Sequence, residues 1–284
     1  MQNSKFEDTI FPRNYSISVG GKLLDLKVPK VMGILNVTPD SFYEGSRANS
    51  KEIILQRASS MIEEGADILD IGGYSSRPGA TDISIQEEID RTSPAMEWIL
   101  NEFPEAIISI DTFRSEVAEN ALQSGAHIIN DISGFSQDEK LPEIASKYNA
   151  PYILMHMRGT PQTMQSLTDY DNIFTEMAQY FSKKINTLKT AGVKDIILDP
   201  GFGFSKTIED NHNLLRNVDY FDFLGSPLLI GISRKSMIYK KLGVRPEESL
   251  NGTIALNAIA LSKGASILRV HDVKEAHELI NLLK

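Results

Sequence analysis

The sequence predicts an α/β fold in which eight βα units close into a (β/α)8 barrel, and three observations carry that prediction. Short β-branched runs alternate with longer segments of helical period along most of the 284 residues. The runs recur every about 20 to 45 residues, the spacing of repeated strand–helix units. No Gly-rich dinucleotide fingerprint opens the first unit, which disfavours the open doubly wound sheet that the alternation alone would also allow.

In chain order the strand candidates are Val31–Leu35, Ile68–Ile71, Ile107–Ile110, His127–Ile129, Tyr152–Met155, Ile196–Leu198, Leu228–Ile230 and Ile267–Val270. Before the first of them, residues 15–28 alternate in strand fashion around Gly20-Gly21, a strong short hairpin signal. This hairpin is expected to cover the bottom of the barrel, its N-terminal mouth. Among the helices, Ile54, Ala58, Met61 and Ile62 line one face, and Gly65 follows at a C-terminal cap position. Ser84 with Glu87 reads as a capping box. Ile173, Met177, Phe181, Ile185 and Leu188 form a long apolar stripe closed by Gly192. The last helix, over residues 273–283, is expected to be capped by Asp272. One domain over residues 1–284 is expected, with 1–29 as an N-terminal extension and hairpin.

Composition limits the function. Hydrophobic residues at 41% and charged residues at 24% describe an ordinary globular chain. No apolar run approaches the roughly 20 residues that cross a bilayer, and Met1–Asn14 lacks a signal-peptide core, so a cytoplasmic protein with no membrane partner is expected. Cysteine is absent, which excludes disulfides, thiolate metal sites and a cysteine nucleophile. The formal net charge of −9 lacks the broad basic footprint of nucleic-acid binders. An anionic substrate would therefore need a local cluster of cations.

Barrels of this kind carry their sites at the C-terminal ends of the strands. Here the runs end on Asn36, Asp70, Asp111, Asn130 with Asp131, His156, Asp199, Ser233 to Lys235, and Arg269 with His271. Any single Asp, Asn or Ser after a strand can simply cap the next helix. Asp70, Asp131 and His156 are read as structural. Arg269 and His271 are not preferred N-caps, and with Ser233-Arg234-Lys235 they form the local positive cluster. Loops after the seventh and eighth strands often hold phosphate. Two glycine-rich stretches, Gly72-Gly73 with Gly79 and Gly201 with Gly203, read equally as tight turns or as close approach to a ligand. No H-E-x-x-H or EF-hand loop is present, but a magnesium ion held mainly by substrate phosphates needs only one or two protein oxygens.

From Val31 onward these residues resemble a known family. The segments are Gly33-Ile34-Leu35-Asn36-Val37-Thr38-Pro39-Asp40-Ser41-Phe42, Asp70-Ile71-Gly72-Gly73 with Ser76-Arg77-Pro78-Gly79, Ser109-Ile110-Asp111-Thr112 and Ile129-Asn130-Asp131. They continue with Met155-His156-Met157-Arg158-Gly159-Thr160-Pro161, residues 199–204 (Asp-Pro-Gly-Phe-Gly-Phe), Ser233-Arg234-Lys235 and residues 269–273 (Arg-Val-His-Asp-Val). In this order they resemble the dihydropteroate synthases, transferases of folate biosynthesis that join a pterin diphosphate to 4-aminobenzoate. Two departures stand out: Tyr74 and Ser75 or Ser76 replace the usual Glu and Thr, and the first loop lacks its second glycine.

The resemblance implies a pterin pocket lined by Asp111, Asn130, Asp199 and Lys235, with Met155 and Phe204 packing on the ring. It implies a 4-aminobenzoate site from Phe42, Ser76, Arg77, Pro78 and Ser233, which sulfonamides would share. Asn36, Arg269 and His271 would hold the diphosphate, with Asn36 also a ligand of Mg2+. Asp111, Lys235, Arg269 and His271 are the expected catalytic residues of a dissociative displacement, and a homodimer is implied. Two other readings stay open: a pterin-binding barrel like the methyltetrahydrofolate–corrinoid methyltransferases, or an inactive binding module. The apolar face of Leu250, Ile254 and Ala258 is read mainly as a core helix and otherwise as a subunit contact.

Overall fold

A computed structural model describes residues 16–38, 47–75 and 82–284. Chain order begins with a hairpin, β1 (Ser16–Val19) and β2 (Lys22–Asp25). It continues through β3 (Lys30–Asn36), α1 (Arg47–Glu63), β4 (Ile68–Gly72), α2 (Ile85–Glu102), β5 (Ile107–Asp111), α3 (Ser115–Gln123), β6 (Ile128–Asp131) and α4 (Leu141–Tyr148). After β7 (Tyr152–Met155) come α5 (Ile173–Thr190), β8 (Ile196–Asp199), α6 (Ile208–Arg216), β9 (Leu228–Ile230), α7 (Ser236–Leu242), α8 (Leu250–Ser262), β10 (Ala265–Val270) and α9 (Val273–Leu283). Strands β3 to β10 are parallel and close on themselves, β10 pairing with β3 through Ile267–Lys30 to Val270–Gly33. The (β/α)8 barrel expected from the sequence is the observed fold.

The period of two along each strand builds the barrel in layers. Outward residues such as Leu69, Ile71, Ile108, Ile110, Leu198 and Leu268 join the helices in one large core. Inward residues at the strand starts form a second cluster to which every barrel strand contributes: Met32, Ile68, Ile107, Ile128, Ile153, Ile197, Leu229 and Ile267. Ile17, Val19 and Leu26 from the hairpin seal this layer from below. Gly20 and Gly21 make the hairpin possible by taking φ of +56° and +78°. The hairpin therefore covers the N-terminal mouth as the alternation predicts.

The helices follow their sequence signals with some differences. All five residues of the α5 stripe are buried, and Asn172 caps that helix by accepting from Thr175 N. Ser84 Oγ accepts from Glu87 N at 3.1 Å, the N-cap half of the expected box. Asp272 makes no capping bond to α9. Its carboxylate is instead held by both Nε and Nη2 of Arg234, at 2.9 and 2.6 Å, a bidentate pair that outcompetes a single backbone amide. In α8 the core-helix expectation fails: Thr253, Asn257 and Ala260 are buried, while Leu250, Ile254 and Ala258 stay half-exposed. No helix among the described residues is long and apolar enough to cross a membrane.

Candidate active site

Two residues beyond the aliphatic layer, the same strands point different side chains into the barrel: Asp70, Ser109, Asn130, Met155, Asp199 and Arg269. One step further up, Asn36, Asp111, Ser233 and His271 rim the mouth. Strand pleating thus delivers most of the sequence-predicted residues to one concave end without any special local structure.

Arg269 organises the floor. Its Nε donates to Asp70 Oδ2 and its Nη2 to Asp111 Oδ2, each at 2.6 Å. Asn130 Nδ2 also donates to Asp70 Oδ2, at 3.0 Å. Asp70 is therefore the fixed counter-charge of the site. Burial pulls the Arg269 pKa down, but the two carboxylates outweigh it and hold the guanidinium charged. Asp111 is pushed up to about 7 by burial, against the pull of Arg269 and with added repulsion from Asp70. Two polar atoms here, Asp70 Oδ1 and Ser109 Oγ, are buried without a protein hydrogen-bond partner, as expected where a polar ligand completes a site.

Across the floor, Asp199 Oδ1 accepts from Gly201 N at 2.7 Å. Burial raises its pKa, opposed first by Lys235. Lys235 donates from Nζ to Phe202 O at 2.6 Å and lies 4.8 Å above the Phe204 ring. Burial lowers the Lys235 ammonium to about 8, with Asp199 working against the shift. Beside these charges runs an apolar shelf of Ile132, Met155, Met157 and Met164, with Phe113 and Phe204 packed on it. A polar edge facing an apolar wall fits a flat, hydrogen-bonding heterocycle.

The positive cluster is smaller than the sequence suggests. Arg234 takes a left-handed backbone, φ +54°, so Ser233 and Lys235 face the pocket while Arg234 turns out to Asp272. Its charge is spent on that pair and on Glu247 O. His271 lies at the exposed rim, its Nδ1 3.2 Å from Ser233 Oγ. Crowding at the mouth, and then Arg269, push its pKa down to about 4, so the ring is neutral at pH 7 even though part of it meets solvent.

Asn36 ends β3 beside Gly72 and Asp111; a methyl group on Gly72 would lie 3.6 Å from Asn36 Oδ1. Phe42, Ser76, Arg77 and Pro78 lie outside the described residues. Asp131 and His156 are structural, as the sequence suggests. Asp131 accepts from Ser133 N, Phe135 N and the Tyr152 hydroxyl. His156 is 3% exposed and stacks edge-on against Tyr180.

Three further groups support the site: Tyr74, which the sequence marks as a departure without giving it a role, and Arg114 and Lys206, which sequence reasoning missed. Tyr74, which replaces the usual Glu, accepts from Gln162 Nε2 at 3.0 Å and meets Phe113 edge-on. Arg114 ties buried Glu88 to Asp82 and lies 5.2 Å from the Tyr74 ring centroid. Lys206, 5% exposed, is enclosed under the β8 loop. Of the two that were missed, Arg114 carried a hint in its position just after the Asp111 motif.

Fold and site together define a barrel enzyme with a charged floor and an apolar shelf at the C-terminal end of its strands. The family model described as "Pterin binding enzyme" matches residues 32–271. The dihydropteroate synthase of Escherichia coli K12 is 46% identical over 266 residues, covering 93% of this chain and 94% of that protein. A solved Yersinia pestis dihydropteroate synthase, in complex with a sulfonamide drug, superposes with a TM-score of 0.88 at 41% identity, covering 94% and 98% of the two chains. The Xanthomonas albilineans enzyme solved with 4-aminobenzoic acid gives 0.88 at 36% identity, covering 95% and 97%. The chain belongs to the dihydropteroate synthase family of pterin-binding enzymes.

Proposed function

We propose that this enzyme condenses 6-hydroxymethyl-7,8-dihydropterin diphosphate with 4-aminobenzoate, releasing 7,8-dihydropteroate and diphosphate. The observation that carries the reading is the floor of Asp111, Asn130, Asp199, Lys235 and Arg269 set against the Met155–Phe204 shelf. The amino-pyrimidine edge of a pterin alternates donors and acceptors, and each must be paired once buried. Asp199 Oδ2, the second oxygen of Asp111 and the amide of Asn130 supply complementary groups. Lys235 reaches a ring acceptor. Met155 and Phe204 cover the ring face.

Asn36 and His271 at the mouth, with Arg269 from the floor, receive the diphosphate; Ser233, with Phe42, Ser76, Arg77 and Pro78 as the family resemblance implies, receives the second substrate. Among the described residues no cluster of His, Asp or Glu forms a dedicated metal cage. The hard carboxamide oxygen of Asn36 fits a magnesium ion that keeps its remaining ligands from phosphates and water. When bound, that ion supplies charge neutralisation of the leaving diphosphate.

An aromatic amine is unprotonated at neutral pH, so attack needs no strong base, in keeping with a neutral His271. The C–O bond to diphosphate breaks, the amine nitrogen forms the new C–N bond, and its proton leaves to solvent. Arg269 stabilises charge on the departing group, and buried Asp111 the cation developing on the pterin methylene. Burial of the floor excludes water that would capture this cation.

The same reading makes the chain one cytoplasmic domain over residues 1–284, with 1–29 as its N-terminal extension, paired as a homodimer. The half-exposed Leu250, Ile254 and Ala258 of α8, with Ile259 at 38% exposure, support the pairing. The testing experiment is condensation with labelled 4-aminobenzoate, with and without magnesium. Magnesium-dependent dihydropteroate is expected. Saturable pterin binding without product would favour the methyltransferase-like or binding-module reading.

A further inference from the structure

We propose that Lys206 is a positioning residue for the pterin site: its ammonium is the centre around which the β8 loop winds, and it thereby sets the Phe204 wall. The inference rests on the pterin reading above.

The loop Pro200-Gly201-Phe202-Gly203-Phe204-Ser205-Lys206 has an unusual backbone. Gly201, Gly203 and Ser205 all take left-handed conformations, with φ of +68°, +82° and +45°. The turns bring two carbonyls of the loop, Gly201 O and Phe204 O, onto Lys206, while Phe202 O between them faces Lys235. Lys206 Nζ lies 3.0 Å from both Gly201 O and Phe204 O, 3.1 Å from His156 Nδ1 and 3.4 Å from His156 O. Among the described residues no carboxylate forms an ion pair with it; burial lowers its pKa to about 7 against the more distant attraction of Asp199, and these acceptors replace its hydration shell. A buried ammonium without such partners would be strongly disfavoured. The loop also cannot simply relax into the space: a side chain on Gly201 would strike the His156 carbonyl.

The cage acts on the pocket through Phe204. Its carbonyl is held by Lys206, its amide donates to Gly201 O at 3.1 Å, and its ring forms the shelf under Lys235. Phe202 O, between the two caged carbonyls, is taken by Lys235 from the pocket side. Two lysines thus bracket one short loop, and only Lys235 faces the ligand. On the other side, the contact between Lys206 Nζ and His156 Nδ1 ties the β7 loop, with Met155, to the same centre.

The experiment compares Lys206→Met, which keeps volume and removes charge, with Lys206→Ala in the presence of ethylammonium or ethanol. The readouts are the Kd of the pterin diphosphate and the Michaelis constant for the arylamine, 4-aminobenzoate, at saturating pterin. The pterin Kd is expected to rise at least about tenfold in Lys206→Met, with the arylamine KM within about twofold. Ethylammonium, but not ethanol, should restore pterin affinity to Lys206→Ala. Adding Lys206→Met to Phe204→Ala should cost little further affinity, because the two act as one unit. Native pterin affinity in Lys206→Met, or losses that multiply in the double variant, would overturn the proposal. So would variants that fail to fold and are not rescued by the ammonium, which would make Lys206 a residue of stability alone. If the wild-type enzyme binds no pterin, the reading of the site falls instead.

Discussion

The two ends of this barrel are built by the same strands and differ in every physical respect. At the lower end, eight inward side chains are aliphatic or methionine, sealed by Ile17, Val19 and Leu26 of the hairpin. Two residues along, Ile68 gives way to Asp70, Ile128 to Asn130, Ile197 to Asp199 and Ile267 to Arg269. The lower layer stabilises without directing anything, since burial is nondirectional and every contact is satisfied by shape. The upper layer is directional and costly. It holds charges in a closed interior, where Arg269 serves two carboxylates and two polar atoms lack partners. The fold thus separates stability from chemistry by one step of a strand.

That separation can be broken most severely at Arg269. Arg269→Ala would leave buried Asp70, beside the part-buried Asp111, without a counter-charge, a loss of about 3–5 kcal/mol of stability. Both the thermal midpoint and turnover should collapse, which calorimetry and the condensation assay would register together. A variant of native stability would show that the ion pairs in the floor are not structural. Lys235→Met should separate the two readouts: pterin affinity falls by about a hundredfold or more while the thermal midpoint falls less than in Arg269→Ala, because only Asp199 loses a facing charge and it keeps its bond from Gly201 N. Titration calorimetry and a melting curve on one sample decide it.

A pH series sharpens the same contrast. The Lys235 ammonium sits near pH 8, and a ligand that needs the proton binds in proportion to the protonated fraction. Between pH 7 and 9 the pterin Kd should therefore rise about tenfold. No change across that range would remove Lys235 as a charged contact. Lysine is a base whose folded pKa is depressed, so the unfolded chain holds more protons between about 8 and 10.5. Its contribution to stability consequently rises with pH over that window, opposite in sign to its contribution to binding.

At the lower end the expected effect is smaller and of one kind. Ile153→Val should cost about 0.5–1.5 kcal/mol in denaturant unfolding and leave kcat/KM unchanged. A change in kcat/KM would mean that the layers are mechanically coupled. Last, Tyr74→Phe keeps the ring on Phe113 and removes the hydroxyl's bonds to Gln162 and Asp82, worth about 0.5–1.5 kcal/mol each. Steady-state kinetics should show its effect in the arylamine KM rather than in pterin affinity.

Much of this was legible in the chain. The βα alternation, the Gly20-Gly21 hairpin and the α5 stripe each rest on short-range periodicity, and each survives in the structure. The readings that failed all concerned which of several partners a side chain takes. Asp272 had a helix to cap and took Arg234. Arg234, counted among the cations facing the ligand, faces away because one left-handed residue turns the loop. Leu250, Ile254 and Ala258 have core character by composition, yet α8 turns Thr253 and Asn257 inward.

By itself, then, the sequence determined the element order, the inward and outward faces and the chemical types arriving at the strand ends. These follow from periods of 2 and 3.6 residues and from motifs a few residues long. Only closure of the barrel decided that Arg269 meets Asp111 and Asp70, 158 and 199 residues away, and that Lys206 meets His156, 50 residues away. Charges at such separations have no local pattern to announce their pairing. Their partners are fixed when strand β10 docks on β3 and the interior is cut off from water.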